Sequence, residues 1–314
     1  MTFASVSIDI DTLSSIYKGN GLTREGGYTF IELRTGLETI SRFFGGYGIQ
    51  TTLFMVGKDF VPDINHESIR SIASEKHELA NHTMSHPQGF RCLSSSQKEQ
   101  EIADMGEICE VVTGIQPVGF RSPGWNMDDT GLPVLKKLGY QYDSSVFPTF
   151  VMPVMKAAHW VSMFRQPRPD RTTMGMWRYM FAPCVPYITS AHSFAVKGKN
   201  GLVEFPVSVT PFLRIPFFAT MLLFLGYDVY KFLFEWIHSK GLPIHFQMHL
   251  SDFVDYSLPE FKDQMPVRNR GSYIPQALTT SLEDKLYVFR RMIDLIARDY
   301  TFITLKDWMP QVNK

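Results

Sequence analysis

Short apolar runs alternate with stretches of helical period along the first half of the chain. Residues 6–10 and 51–56 read as buried strands, each ending where polar residues or glycine begin. Between them Ile31, Leu33, Leu37, Ile40 and Phe44 recur at helical spacing, and Gly45-Gly46 closes the run. Residues 94–113 predict a second helix, with a serine-rich start and Gly114 as its stop. Residues 118–120 form a short strand signal, followed by a helical pattern over 130–138 that ends at Gly139. Later, 202–207, 243–249 and 301–304 read as strands and 282–297 as a helix. This alternation predicts an α/β fold built from βα units around a mostly parallel sheet or barrel. No internal repeat or low-complexity linker interrupts it, so a single domain over residues 1–314 is expected.

The region from about 150 to 240 departs from that rhythm. Residues 150–187 hold six methionines and two tryptophans, with Lys156, Arg165, Arg168, Arg171 and Arg178 against Asp170 alone. Residues 215–227 are uncharged and strongly apolar, and continue as an amphipathic helix through Tyr230, Leu233, Trp236 and Ile237. The uncharged run falls short of the ~20 residues that span a bilayer. Two readings stay open: an apolar and basic insertion lying at a membrane interface or gripping a lipid chain, or core helices with a covering insertion.

Charge narrows the partners. With 31 basic and 31 acidic residues the formal net charge is zero, so no basic field covers the molecule and nucleic acid is not expected. Cys92, Cys109 and Cys184 lack CxxC spacing and are expected to be reduced. The N-terminus carries neither a basic n-region nor a long apolar h-region, so a cytoplasmic protein is expected.

Two acidic residues in Ser7-Ile8-Asp9-Ile10-Asp11-Thr12 precede a histidine pair in Asn81-His82-Thr83-Met84-Ser85-His86-Pro87. Histidines four apart lie on one face of a helical turn, so both rings can reach one ion. A carboxylate from a strand end completes a two-His, one-carboxylate site with open positions, and leaves the other aspartate as a base. Alone, an HxxxH spacing is usually incidental, and either aspartate fits a strand-end cap. Zn²⁺ suits these ligands, as do Co²⁺, Ni²⁺, Mn²⁺ or Fe²⁺.

Four further islands fit around this pair: Gly119-Phe120-Arg121-Ser122-Pro123-Gly124-Trp125, Tyr140-Gln141-Tyr142-Asp143-Ser144-Ser145, Glu204-Phe205-Pro206-Val207 and Phe246-Gln247-Met248-His249-Leu250-Ser251-Asp252. In this order they resemble the NodB-homology polysaccharide deacetylases, carbohydrate esterase family 4. The resemblance is closest in the first half and weakest across 150–240. It implies a distorted (β/α) barrel that hydrolyses an N-acyl group, usually on an amino sugar. It assigns Asp9 as general base, Asp11, His82 and His86 as metal ligands, and Arg121 as the arginine holding the base. His249 matches the histidine that protonates the departing amine, with Asp143 or Asp252 as its partner. A backbone N–H near Gly124 and Trp125 is the expected oxyanion donor, and Asp143 the remaining substrate-side residue. The D-x-D spacing departs from the adjacent aspartates of many members and leaves the division between Asp9 and Asp11 open. His66, His77, His159, His192, His238 and His245 match no motif and are expected to be structural or exposed.

Because the chain shows no export signal, the resemblance points to the branch acting on undecaprenyl-phosphate-linked sugars, which shares the D-x-D opening. The expected substrate is an N-acetyl or N-formyl amino sugar, either on a polyprenyl phosphate met at the inner face of the cell membrane or in a polysaccharide or peptidoglycan precursor. Two alternatives are a soluble cyclic-amide or ureide hydrolase on the same barrel, and a catalytically inactive glycan-binding relative.

Overall fold

Alternate residues of the first strand face two different environments, and this division organises the molecule. The computed structural model describes residues 2–15, 30–153, 175–262 and 276–312. Its elements begin β1 (Thr2–Ile10), α1 (Ile31–Gly45), β2 (Thr52–Met55), α2 (His66–Ser74), β3 (Glu78–Asn81) and α3 (Ser95–Thr113). They continue β4 (Gly119–Phe120), α4 (Gly131–Lys137), β5 (Tyr142–Asp143), β6 (Tyr187–Ile188), β7 (Val203–Glu204), α5 (Ala219–Leu225) and α6 (Tyr227–Ser239). The last are β8 (Ile244–His249), α7 (Leu282–Ala297), β9 (Tyr300–Phe302) and α8 (Leu305–Val312).

Within the described residues the sheet runs β6-β7-β5-β4-β3-β2-β1-β8, with β9 also paired to β1. Every ladder is parallel except β6–β7. The sheet curls until the chain leaving β7 meets β8, where the Ser208 N–H donates to the His245 carbonyl at 3.3 Å. The result is the expected α/β architecture, a distorted barrel with helices on its outer face.

Ala4, Val6, Ile8 and Ile10 turn outward and join the main core with Leu37, Phe234, Phe289 and Ile293 from the helical layer. Ser5, Ser7 and Asp9 turn into the barrel, where polar residues from the other strands meet them. The end of the barrel opposite the strand C-termini is stoppered by α8. Its Leu305 and Trp308 pack with Phe54, Ala80, Tyr142 and Phe205. Buried Glu78 serves this plug: it accepts from the Lys306 N–H at the start of α8, from Thr52 Oγ1 and from Tyr142 Oη.

The predicted helices are observed within a few residues. Ser94 caps α3 in a reciprocal box with Gln97, and Gly114 ends it in the left-handed region at φ 73°. Strand β3 has no counterpart in the sequence reading, because a four-residue run ending in Asn and beginning in Glu lacks apolar alternation. The apolar run 215–227 does not form one helix. Gly226, at φ 82°, separates α5 from α6, whose Tyr230, Leu233, Phe234 and Ile237 are buried in the main core. Most of the basic, Met-rich stretch, with Lys156, Arg165, Arg168, Asp170 and Arg171, lies outside the described residues, as does His159. Among the described residues no helix is long and apolar enough to cross a membrane.

Candidate functional site

The loops that carry the candidate chemistry all leave the C-terminal ends of parallel strands, the end of a barrel where such sites are assembled. Asp11 follows β1, His82 and His86 follow β3, Arg121 follows β4, and His249 closes β8.

The histidine pair reaches one point by a route other than the expected helical turn. Residues 82–87 are a loop, and Thr83 and His86 both have positive φ, at 70° and 53°. That unfavourable backbone is held from several sides. Asn81 Oδ1 accepts from the Thr83 N–H, and Thr83 Oγ1 accepts from the His86 N–H. Glu101 on α3 grips Ser85 through both carboxylate oxygens, and the Gly57 and Lys58 N–H groups donate to the Thr83 and Met84 carbonyls. His82 Nδ1 lies 2.7 Å from the Arg121 carbonyl, so that nitrogen carries the proton and Nε2 presents its lone pair.

Asp11 Oδ1 stands 3.4 Å from His82 Nε2 and 3.2 Å from His86 Nε2. All three atoms are buried and lack a hydrogen-bond partner. Three unpartnered acceptors converging in a protein interior are costly unless something binds them. The donor set, two imidazoles and one carboxylate, suits Zn²⁺ or a similar divalent ion, and the three residues are the group among the described residues whose donor atoms gather to fit one. Burial alone would raise the Asp11 carboxyl, but the His86 charge and the two adjoining rings hold it well below the usual carboxylate range. His82 is drawn the other way: burial opposes its protonation, yet the Asp9 and Asp11 charges push it up.

Asp9 occupies a different setting two residues earlier. Alternation along β1 turns it into the barrel beside Arg121, which is fully buried. Arg121 Nη1 donates to Asp9 Oδ1 at 2.5 Å, Nη2 donates to Ser7 Oγ and Ser144 Oγ, and Nε donates to the Ser144 carbonyl. Its guanidinium also stacks 4.0 Å over Phe54. The other Asp9 oxygen, Oδ2, accepts from Gln247 Nε2 at 2.7 Å and lies 4.0 Å from His82 Nε2. Thus the structure separates the two aspartates that their spacing left ambiguous: Asp11 meets the histidines and Asp9 meets Arg121.

His249 stands opposite Asp9 in the β1–β8 register and is half-buried. Of the two carboxylates considered as its partner, Asp252 is the neighbour, accepting from the His249 N–H at 2.9 Å. Burial raises the Asp252 carboxyl, opposed by the His249 charge. Asp143 points outward from β5 instead. With no exposed surface, it accepts from the Ser145 N–H and Oγ and lies against Glu204, and the His249 ring is not among these contacts. Burial lifts it to about 6, while the adjoining Glu204 is pushed well above its usual range by burial and by the Asp143 charge. Asp143 acts on the site indirectly: Ser145 Oγ accepts from the Ser122 N–H and so fixes the root of the Pro123-Gly124-Trp125 turn.

In that turn the Trp125 N–H is committed to the Ser122 carbonyl at 3.1 Å, which narrows the expected oxyanion donor to exposed Gly124 at φ 59°. The Trp125 ring packs on Phe147 at 4.6 Å and Phe218 at 5.8 Å. Beyond it Arg214 Nη1 gathers the carbonyls of Pro148, Met180 and Ala182. Phe150, Trp177, Phe181, Phe212 and Leu213 stand exposed on these tied segments.

Sequence reading missed Gln247 and treated His245 as bland. Both lie on the inward face of β8, two and four residues before His249, a period-2 signal that was present in the motif itself. Buried His245 takes part in the arginine network: Nε2 is 2.8 Å from Ser7 Oγ and 3.2 Å from Arg121 Nη2, while Nδ1 faces the Pro206 carbonyl. Burial and the Arg121 charge lower its pKa to about 3, so it stays neutral.

Residues 21–142 match the family model described as polysaccharide deacetylase. The peptidoglycan deacetylase of Helicobacter pylori is 25% identical over 111 residues, 35% of this chain and 37% of that protein. The peptidoglycan-N-acetylglucosamine deacetylase of Bacillus cereus is 33% identical over 96 residues, 30% of this chain and 43% of its own. The chain therefore aligns with less than half the length of these curated relatives. A crystal structure from Mycobacterium smegmatis, provisionally assigned as a polysaccharide deacetylase, shares the fold at a TM-score of 0.63 and 16% identity, covering 99% of this chain and 91% of that one. Part of this chain is thus similar to polysaccharide deacetylases, and its fold is shared with the Mycobacterium smegmatis structure.

Proposed function

We propose that this chain is a metal-dependent amide hydrolase that removes an N-acetyl or N-formyl group from an amino sugar. The observation that carries the reading is the convergence of three unpartnered ligand atoms, from Asp11, His82 and His86, beside an aspartate locked by a buried arginine. A divalent ion bound by those residues would supply Lewis acidity toward an acyl carbonyl and water. Asp9, whose Oδ2 faces the ligand cluster, takes the proton from the attacking water. The Gly124 N–H meets the developing oxyanion. His249, with Asp252 beside it, delivers a proton to the departing nitrogen. Asp9, Asp11, His82, His86 and His249 are all present, which speaks against the inactive glycan-binding alternative.

Metal content by elemental mass spectrometry tests the centre directly, beside a His82→Ala, His86→Ala variant. About one ion per wild-type chain, lost in the variant, is the expected result, with Co²⁺ substitution giving a ligand-field spectrum independent of activity. Protein that stays empty after incubation with Zn²⁺, Co²⁺ and Ni²⁺ overturns the hydrolase reading. N-acyl release is then assayed on chito-oligosaccharides, peptidoglycan fragments and polyprenyl-phosphate-linked amino sugars. Turnover of a cyclic amide or ureide in place of all three would favour the soluble alternative.

Within this reading the substrate is lipid-linked and the protein rests peripherally on the inner face of the membrane. The support is the exposed set Phe150, Trp177, Phe181, Phe212 and Leu213 near Trp125, flanking a sequence segment rich in arginine. Co-sedimentation with anionic vesicles, weakened by Phe181→Ser with Phe212→Ser, is expected. Protein left wholly in the supernatant refutes this refinement and leaves a soluble glycan as substrate.

A further inference from the structure

Gln247 is a buried group in the site that the proposed reaction leaves without a task. It has no exposed surface, and both ends of its amide are engaged. Nε2 donates to Asp9 Oδ2 at 2.7 Å, and Oε1 accepts from Trp125 Nε1–H at 3.0 Å. The orientation of that amide is dictated by its neighbours. An indole nitrogen only donates and a carboxylate only accepts, so oxygen must face Trp125 and nitrogen must face Asp9. Turning the amide by 180° would set donor against donor and acceptor against acceptor.

We propose that Gln247 is a positioning residue that couples the Trp125 turn to the carboxylate of Asp9, so that the base is aimed only when that turn is seated. Arg121 secures one Asp9 oxygen through a fixed guanidinium fork, leaving the carboxylate free to pivot about that contact. The Gln247 amide supplies the second point and fixes the plane. It can do so only while its oxygen is occupied, and the occupant sits on the turn that carries the Gly124 N–H. Trp125 is half-exposed with φ 53°, a conformation that costs energy and is held by its packing on Phe147 and Phe218. Contacts made by an amino sugar on this turn would thereby reach Asp9 through two hydrogen bonds.

The proposal rests on Asp9 acting as the base, and its test separates the two. Trp125→Phe keeps a ring and removes the donor; Gln247→Met keeps length and removes both hydrogen bonds. In equilibrium unfolding of the metal-loaded protein, the single and double variants should show a coupling of about fivefold in the unfolding constant, the size of one net hydrogen bond. With an N-acyl amino sugar that the wild type hydrolyses, Gln247→Met should lower kcat about tenfold or more and leave KM within about twofold. Trp125→Phe should lower kcat as well, and the double variant should be no worse than Gln247→Met alone. Effects on kcat that multiply, or an unfolding coupling below about 1.5-fold, overturn the relay. A coupling intact in unfolding alongside wild-type kcat in Gln247→Met refutes the positioning role. Wild-type protein that hydrolyses no N-acyl amino sugar overturns the function reading, and the positioning of a base with it.

Discussion

Removing the Arg121 guanidinium tests the arrangement at its centre. Arg121→Met leaves the alkyl volume largely filled but strips every donor from a side chain with no exposed surface. Asp9 would keep only the Gln247 amide, and its charge would remain in a protein interior without a counter-charge on that oxygen. Breaking a buried ion pair from one side costs about 3–5 kcal/mol, because the abandoned charge has nowhere to be solvated. The hydroxyls of Ser7 and Ser144 lose a donor too, but each retains another partner, so the sum should not be extended by one increment per bond. A loss of about 4 kcal/mol is a large part of the 5–15 kcal/mol by which folded domains exceed their unfolded chains. Urea unfolding at pH 7, followed by far-UV circular dichroism and compared at constant slope, reads it. Adding Asp9→Asn to Arg121→Met removes the stranded charge, so the double variant should be more stable than Arg121→Met alone. A loss below about 1 kcal/mol in the single variant, or a double variant less stable still, would refute the account of a buried pair holding the barrel interior together.

Other outcomes follow from the same geometry. Asp143 and Glu204 hold a proton in the folded protein that the unfolded chain releases near pH 4, so folded stability falls as pH rises from about 4 through the Asp143 value of about 6. Glu204→Gln should remove much of that slope and gain about 2 kcal/mol on the wild type between pH 4.5 and 7.5, measured by urea midpoints at both values; an unchanged difference contradicts it. A methyl group at Gly57 would meet Met84 Sδ at 2.4 Å and Met84 Cα at 3.0 Å, behind the histidine loop. Gly57→Ala should therefore cost about 1–3 kcal/mol and weaken Co²⁺ binding in calorimetry, whereas an unchanged dissociation constant would show that the loop does not depend on this contact. Asn81→Ala removes the acceptor for the Thr83 N–H along with bonds to Ile102 and Tyr140, and should lower both thermal midpoint and metal occupancy. Full occupancy at wild-type stability would contradict that role.

The residue types in the site were legible before the geometry, because alternation and motif order brought Asp9, Asp11, His82, His86, Arg121 and His249 to the same end of the barrel. How the histidines converge was not legible. A spacing of four is equally compatible with a helical turn and with a loop carrying two left-handed residues, and the deciding bonds come from Glu101 and Gly57, far away in sequence. The setting of Asp143 was not legible either, because a carboxylate next to a strand end can turn to either face, and in β5 it lies against Glu204. The partners of Arg121 could not be listed from sequence at all, since Ser7, Ser144 and His245 are common residues made exceptional by burial.

The central placement of β1 has a consequence for how the molecule comes together in time. Its partner on one side is β2, some 45 residues away in register, and on the other β8, where Asp9 meets His249 240 residues later. The cluster of Asp11, His82 and His86 draws on the first three strands, and these are neighbours in both chain and sheet. His249 arrives only with one of the longest-range pairings in the molecule, the kind whose loop-closure entropy must be met before any contact rewards it. The three converging donor atoms and His249 are thus brought together by contacts of very different sequence separation. A nascent chain can gather Asp11, His82 and His86 while β8 is still being synthesised, and one late ladder brings His249 to them.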